Sequence, residues 1–417
     1  MKLTTVYSDI GVVVSKPSKL REYLNNLSSF LLEESEVNNL SIGNPSFVSP
    51  LAELWAQEFA NVVEQEFQLV AGKYSLSRGN PDLIQEWRNF YNKKYSTDVK
   101  TEEIVIGPGS QMLIFCVVNI LCGICGSERR NLVLPILPDY SGYFSLSLNR
   151  TTVVGLSPLI EVSGDRGFTY KIDFKALESL RNIGAILLSN PMNPTGKVLS
   201  EDELSQLIDI AVRKDCFLII DNAYGNPIPK VIDYCHRPLV HERVINLFSL
   251  SKAGLPGERL GIMMGDNEVL NKVSSFLSNS MLHSSQLPQV VLKNLLKGGR
   301  LEDTMSNSVT PYYKEKYDYA HSLLLAQLPP GLSWRLYSGH SGMFIWIWID
   351  EPGFDCEEFY EMLKKNRKTI IMPGSFFFDN EDRIHSKQCI RVSVVSSKEE
   401  IARGVVAIAK ELSNYVD

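Results

Sequence analysis

The sequence has no long basic run, no extended apolar run and no clustered set of metal-ligating residues. Each absence excludes something. With 42 Lys and Arg against 48 Asp and Glu the net charge is −6, so no general attraction to nucleic acid is expected. The longest clean apolar run is MLIFCVV, residues 112–118. A membrane span needs roughly 18 apolar residues, so none is expected. The opening MKLTTVYSDIGVVVSK has neither a long apolar core nor a small-residue cleavage site, which disfavours a secretory signal. The seven cysteines are an odd number. Cys122 and Cys125 form a lone CxxC with no second Cys or Cys/His pair beside it, and there is no HExxH. A zinc site is therefore disfavoured, and two buried thiols at a helix end are expected. Together these absences point to a soluble, cytoplasmic protein without membrane or nucleic-acid partners, metal or disulfides.

What is present is the composition of a globular chain, 44% hydrophobic and 22% charged, long enough at 417 residues for two domains. Short apolar runs recur at 103–107, 131–136, 151–156, 185–190, 216–221, 244–250 and 259–265. Most are continuous rather than alternating, as in strands buried on both faces of a mostly parallel sheet. A helical pattern follows Ser200, with Glu203 at capping-box spacing. This predicts a large α/β domain over residues 46–295. Beyond about 285 the texture changes. A long helix is expected over 310–328, then strand-like GMFIWIWID, TIIMPGS and QCIRVSVV, then a C-terminal helix. These residues, 296–417 together with 1–45, predict a smaller α+β domain.

In doubly wound sheets ligands bind beyond the carboxyl ends of the strands. Those ends carry GPGSQ (107–111), LPDYSGY (137–143), NPMNPTG (190–196), DNAY (221–224) and SLSKAGLPGERLG (249–261). Singly, each has an ordinary reading. GPGSQ is as readily a turn and helix cap as an anion site, NPMNPTG a turn-rich loop, Asp221 a cap, Tyr140 a packing residue and Lys252 a solvated lysine. GPGSQ is not GxGxxG and no acid ends the second strand, so a dinucleotide is disfavoured. Jointly they suit one ligand. A central amine can form a Schiff base with an aldehyde, and a carboxylate can keep a ring nitrogen protonated. A phenol and an amide can bond a ring hydroxyl, an aromatic can stack, and serines, backbone N–H groups and an arginine can hold a phosphate. Aldehyde, pyridine nitrogen, hydroxyl and phosphate on one ring describe pyridoxal phosphate.

With NPMNPTG, DNAY and SLSKAGLPGERLG in this order and spacing, the chain resembles the fold-type I pyridoxal-phosphate enzymes, class I/II aminotransferases, over essentially its whole length. DNAYGNPIP, SLSKAGLPG, LPDYSGY and GSQ look most like its valine–pyruvate branch. The resemblance implies the aspartate aminotransferase-like fold and a role for each residue. Lys252 would hold the cofactor and shuttle the proton. Asp221 would pair with the ring nitrogen, Asn193 and Tyr224 with the ring hydroxyl, and Tyr140 would stack. Ser110, Gln111, Ser249, Ser251 and Arg259 would bind the phosphate, with Gly109 allowing close approach. Tyr74, in KYSLSRGNPDL, would reach the phosphate of a neighbouring subunit, which implies a homodimer with shared sites. Arg391 would bind the substrate carboxylate, with Gly43 lining that site and Asn190 assisting, and the small domain would close on substrate.

No second cation suited to a side-chain carboxylate is evident, and Phe344, Phe376, Phe377 and Phe378 cluster in the second domain's segments. The expected reaction is therefore a ping-pong transfer between a neutral aliphatic amino acid, valine or alanine, and a 2-oxo acid such as pyruvate. The alternative is another pyridoxal-phosphate chemistry on the same fold, a lyase, decarboxylase, cyclase or oxidase. Segments 1–40 and 274–289 lie outside the matched motifs. The first of them is expected near the substrate entrance.

Overall fold

The seven apolar runs all become strands of one sheet. In the computed structural model, residues 7–415 are described except 16, 18, 35, 149–151, 233, 235, 236 and 380–383. The sheet runs Ile104–Gly107, Gly261–Met264, Val244–Ser249, Phe217–Asp221, Ile183–Ser189, Glu128–Leu134, with Val153–Gly155 and Gly123–Cys125 both on the last of these. Pairing is parallel through its centre, and Gly261–Met264 is antiparallel to both its neighbours. Ile183–Ser189 and Val244–Ser249 are buried at every residue, which is why they show no polar alternation. The helix after Ser200 runs Glu201–Arg213 with the capping box formed in both directions.

The CxxC divides at this sheet's edge. Cys122 is buried at the end of the Ser110–Leu121 helix, but the chain then turns back as the hairpin of Gly123–Cys125 with Glu128–Leu134, leaving Cys125 exposed. The expectation of two buried thiols is corrected for Cys125.

A second sheet of six strands runs Met372–Pro373, Cys389–Ser393, Phe344–Ile349, Trp334–Tyr337, Gly167–Lys171, Leu159–Ser163. Its last two strands come from mid-chain, inside the span 46–295, and join through Gly167 and Phe168 beside Leu336 and Tyr337. The N-terminal residues also join the C-terminal region, since Asn38–Asn39 pairs in parallel with Thr369–Ile370. The helix expected from 310 is preceded by helical residues 300–304 and a π-helical turn over 305–309 that runs straight into it. One apolar cluster is continuous from one face of the central sheet to the second sheet. The other packs Ser49–Val70, Pro81–Tyr95 and Leu287–Lys297 on the opposite face of the central sheet. No helix among the described residues is long and apolar enough to cross a membrane.

Residues 38–46 form a strap along the end of the second sheet. Ser393 donates its N–H to Leu40 O (2.7 Å) and its hydroxyl to Ile42 O (2.7 Å). Ser46 donates its N–H to the Tyr313 hydroxyl and its own hydroxyl to Val395 O, both at 2.7 Å.

Candidate active site

The carboxyl ends of the central strands open on a cavity of about 410 Å³. Ser110, Gln111, Tyr140, Asn193, Asp221, Tyr224, Ser249, Ser251, Lys252 and Arg259 all line it, together with Tyr143 and Ser189. Ten of the sequence-predicted residues are thus brought to one place.

Lys252 Nζ donates to Gly43 O at 2.5 Å and lies 5.6 Å from the centroid of the Tyr224 ring. Burial pushes its pKa down to about 8, with the Arg391 charge adding to the effect and Asp221 opposing it. Asp221 ends its strand with Oδ2 accepting from the Tyr143 hydroxyl at 2.9 Å. Its Oδ1 is buried with no partner. Burial raises this carboxyl to about 6, against the bonds from Tyr143 and the Ala223 N–H. A buried carboxylate oxygen without a donor calls for one, and a protonated ring nitrogen meets that need. Asn193 Nδ2 donates to the Tyr224 hydroxyl at 3.2 Å, forming the pair proposed for a ring hydroxyl. The Tyr140 ring stands edge-on to Tyr143, centroids 5.3 Å apart.

The anion end is built from backbone freedom and charge. Helix Ser110–Leu121 starts after Gly109, which offers no side-chain cap to the first N–H groups. A Cβ at Gly109 would stand 2.6 Å from Arg259 Nη2, and its φ of +87° also favours glycine. Arg259 Nη1 donates to Ser251 Oγ (3.2 Å) and Pro256 O (3.1 Å), and Ser251 N–H donates to Ser249 Oγ (3.2 Å).

A second chamber of about 410 Å³ shares Tyr140, Asn193, Tyr224 and Lys252 with the first. Arg391 is buried beside it, donating from Nη1 to Asn193 Oδ1 (3.1 Å) and from Nη2 to Ser41 O (2.7 Å), while Nε has no partner. Its guanidinium lies 4.0 Å from the Phe344 ring centroid and 5.1 Å from that of Phe377. Burial lowers its pKa to about 10. Gly43 lines this chamber, as do Met372, Phe377 and three leucines, Leu20, Leu24 and Leu27, from helix Lys19–Glu33. The segment expected near the entrance is therefore there. Of the four phenylalanines, Phe377 reaches the chamber wall, while Phe376 packs on Tyr23 and Phe378 on Trp346.

Three predicted residues do not line these cavities: Gly109, which shapes the anion end as described above, Asn190 and Tyr74. Asn190 is buried, and its Oδ1 accepts from Leu199 N–H at 3.0 Å, which braces the NPMNPTG loop. Tyr74 is 86% exposed with its ring beside His283. Sequence reasoning did not find the bond from Tyr143 to Asp221, the lysine and arginine contacts to the strap, or the leucine wall. The i, i+4, i+7 spacing of Leu20, Leu24 and Leu27 is a readable apolar face, but not what it faces.

The fold and this constellation define a pyridoxal-phosphate-dependent transferase of the aspartate aminotransferase-like fold, with pyridoxal 5′-phosphate as cofactor. The sequence model of the class I and II aminotransferases matches residues 35–408, and the chain belongs to that family. It is 27% identical over 374 residues, 89% of each chain, to valine–pyruvate aminotransferase of Escherichia coli (strain K12). Among solved structures it resembles a candidate amino-acid aminotransferase of Psychrobacter arcticum 273-4, with a TM-score of 0.93, 28% identity and 99% of each chain covered. It also resembles valine–pyruvate aminotransferase of Salmonella typhimurium LT2, with a TM-score of 0.83 and 25% identity, covering 94% of this chain and 98% of that one. As in its family, the reaction exchanges an amino group between an amino acid and a 2-oxo acid.

Proposed function

We propose that this aminotransferase takes its amino group from a neutral aliphatic amino acid, valine or alanine, and passes it to pyruvate or a similar 2-oxo acid in a ping-pong exchange. One observation carries the reading: among the described residues lining the second chamber, Arg391 is the one arginine, and leucines, Met372 and Phe377 line it too. A guanidinium suits the α-carboxylate, and the apolar wall suits an uncharged side chain.

Bound pyridoxal phosphate supplies the aldehyde that accepts the amino group and a ring that draws electrons from the substrate α-carbon. The residues of the chain do the rest. Lys252, with its lowered pKa, anchors the cofactor and then carries the proton to and from the α-carbon. Asp221 uses its unpaired Oδ1 to keep the ring nitrogen protonated. Asn193 and Tyr224 hold the ring hydroxyl, Tyr140 covers the ring, and Ser110, Gln111, Ser249, Ser251 and Arg259 hold the phosphate. Arg391 and Asn193 orient the substrate carboxylate, with Gly43 leaving room at the strap. Asn190 acts through its loop rather than on substrate. The exposed Tyr74 supports a homodimer in which it reaches its partner's phosphate. The free, mostly buried cysteines among the described residues support a cytoplasmic setting.

The test is a visible spectrum of the cofactor-loaded protein before and after L-valine, L-alanine and L-arginine, with product analysis. The band bleaches with valine or alanine and a 2-oxo acid accumulates. A band that neither neutral donor alters would move the reading to another pyridoxal-phosphate chemistry.

A further inference from the structure

Asp139 lines neither cavity and is fully buried, yet it bonds to residues that line both. Its Oδ1 accepts from the Tyr140 N–H at 2.7 Å and from the Ser189 hydroxyl, and its Oδ2 accepts from the Ser189 N–H at 3.0 Å. Its own N–H donates to the carbonyl of Phe377, a wall residue of the substrate chamber, at 3.1 Å. Ser189 Oγ in turn accepts the Asn193 N–H at 3.1 Å. From Asn193 the path divides, Nδ2 to the Tyr224 hydroxyl and Oδ1 from Arg391 Nη1. No cation is among these contacts, so the carboxyl is held by hydrogen bonds alone. Burial pushes it up to about 7, with Ser189 and the Tyr140 N–H opposing and Asp221 adding to the rise. An acid kept in so costly a place has a geometry to hold.

We propose that Asp139 is a positioning residue for transamination. Through Ser189 it sets Asn193, and with it the Tyr224 hydroxyl and the Arg391 guanidinium. Through the Tyr140 N–H and the Phe377 carbonyl it keeps the covering ring and the chamber wall in one register. The proposal rests on the roles given above to Asn193 and Arg391.

Three variants separate this from a purely structural anchor: Ser189→Ala, Asp139→Asn and Asp139→Ala. Each is measured by pyridoxal phosphate titration of the apoprotein, read as quenching of tryptophan fluorescence. KM and kcat for the neutral donor that bleaches the parent's band, and thermal unfolding of the apoprotein, complete the set. Asp139→Ala raises both the cofactor dissociation constant and the donor KM about tenfold, with kcat changed less than about threefold. Ser189→Ala repeats the rise in KM. Asp139→Asn keeps an acceptor for the Tyr140 N–H and the Ser189 hydroxyl but sets its NH2 against the Ser189 N–H, so both constants rise by less than in Asp139→Ala. Should Asp139→Ala fail to fold, Ser189→Ala decides. KM and dissociation constant within about twofold of the parent in the folded variants overturn the proposal, as does lost thermal stability with neither constant moved. A parent protein that neither binds the cofactor nor turns over instead overturns the site assignment, and this inference with it.

Discussion

Lys252 is held where charge is costly, partly buried and within the field of Arg391, so its pKa falls from the ordinary 10.5 to about 8. Two outcomes follow at this residue. Lys252→Ala lowers turnover by about a hundredfold or more and removes the visible band of the bound cofactor, checked by steady-state rates and absorbance. The second is a matter of linkage. Between about 8 and 10.5 the unfolded chain holds a proton on this amine that the folded apoprotein has released. Raising the pH through that window therefore favours the folded state at this site. Thermal unfolding of the apoprotein from pH 8 to 10 should gain stability relative to Lys252→Met, and equal slopes would refute the assigned shift. Lys252, Asp221 and Arg259 are legible in the sequence because each follows or opens an apolar strand run at a fixed end of the sheet. The partner of Asp221 is not. Tyr143 lies 78 residues away in the chain, and only the packing of the short helix Ser141–Ser145 against the end of the Phe217–Asp221 strand brings its hydroxyl to 2.9 Å.

At the level of elements, local signals carry far where the element stabilises itself. The Ser200–Glu203 capping box is one such case, and Ser200→Ala should cost about 1 kcal/mol, measured by chemical denaturation. Local signals fail where an element serves a distant neighbour. The hairpin 159–171 reads as part of the central domain's span, yet its strand Gly167–Lys171 pairs with Trp334–Tyr337. No sequence pattern says which sheet an edge strand will join. Helix Lys19–Glu33 is amphipathic in sequence, but that its leucines line the second chamber depends on its docking, to which Tyr23 contributes a bond to Ile371 O at 2.8 Å. Leu24→Arg places a cation in that wall. It should lower kcat/KM for valine about tenfold or more and raise that for an acidic donor, read by competition between the two amino acids.

For the whole molecule, the central question is whether one chain makes a complete site. Tyr74 is exposed, and its ring contact is with His283 in the segment 282–286 that follows helix Asn267–Met281. If it serves the partner's phosphate, Tyr74→Phe should raise the cofactor dissociation constant about tenfold while light scattering still reports a dimer. The same loss in a monomeric protein would exclude the shared site. The strap at 38–46 has a different bearing. Ser41 and Arg391, which it joins, stand 350 residues apart in the chain. During synthesis the strap must wait for its partners in the second sheet, Arg391 and Ser393 among them. Lys252 and the sheet around it can assemble while translation continues, but the chamber beside Arg391 is complete only when the strand Cys389–Ser393 arrives. If Arg391 orients the substrate, a chain cut short before that residue would carry its lysine and no means of orienting a substrate.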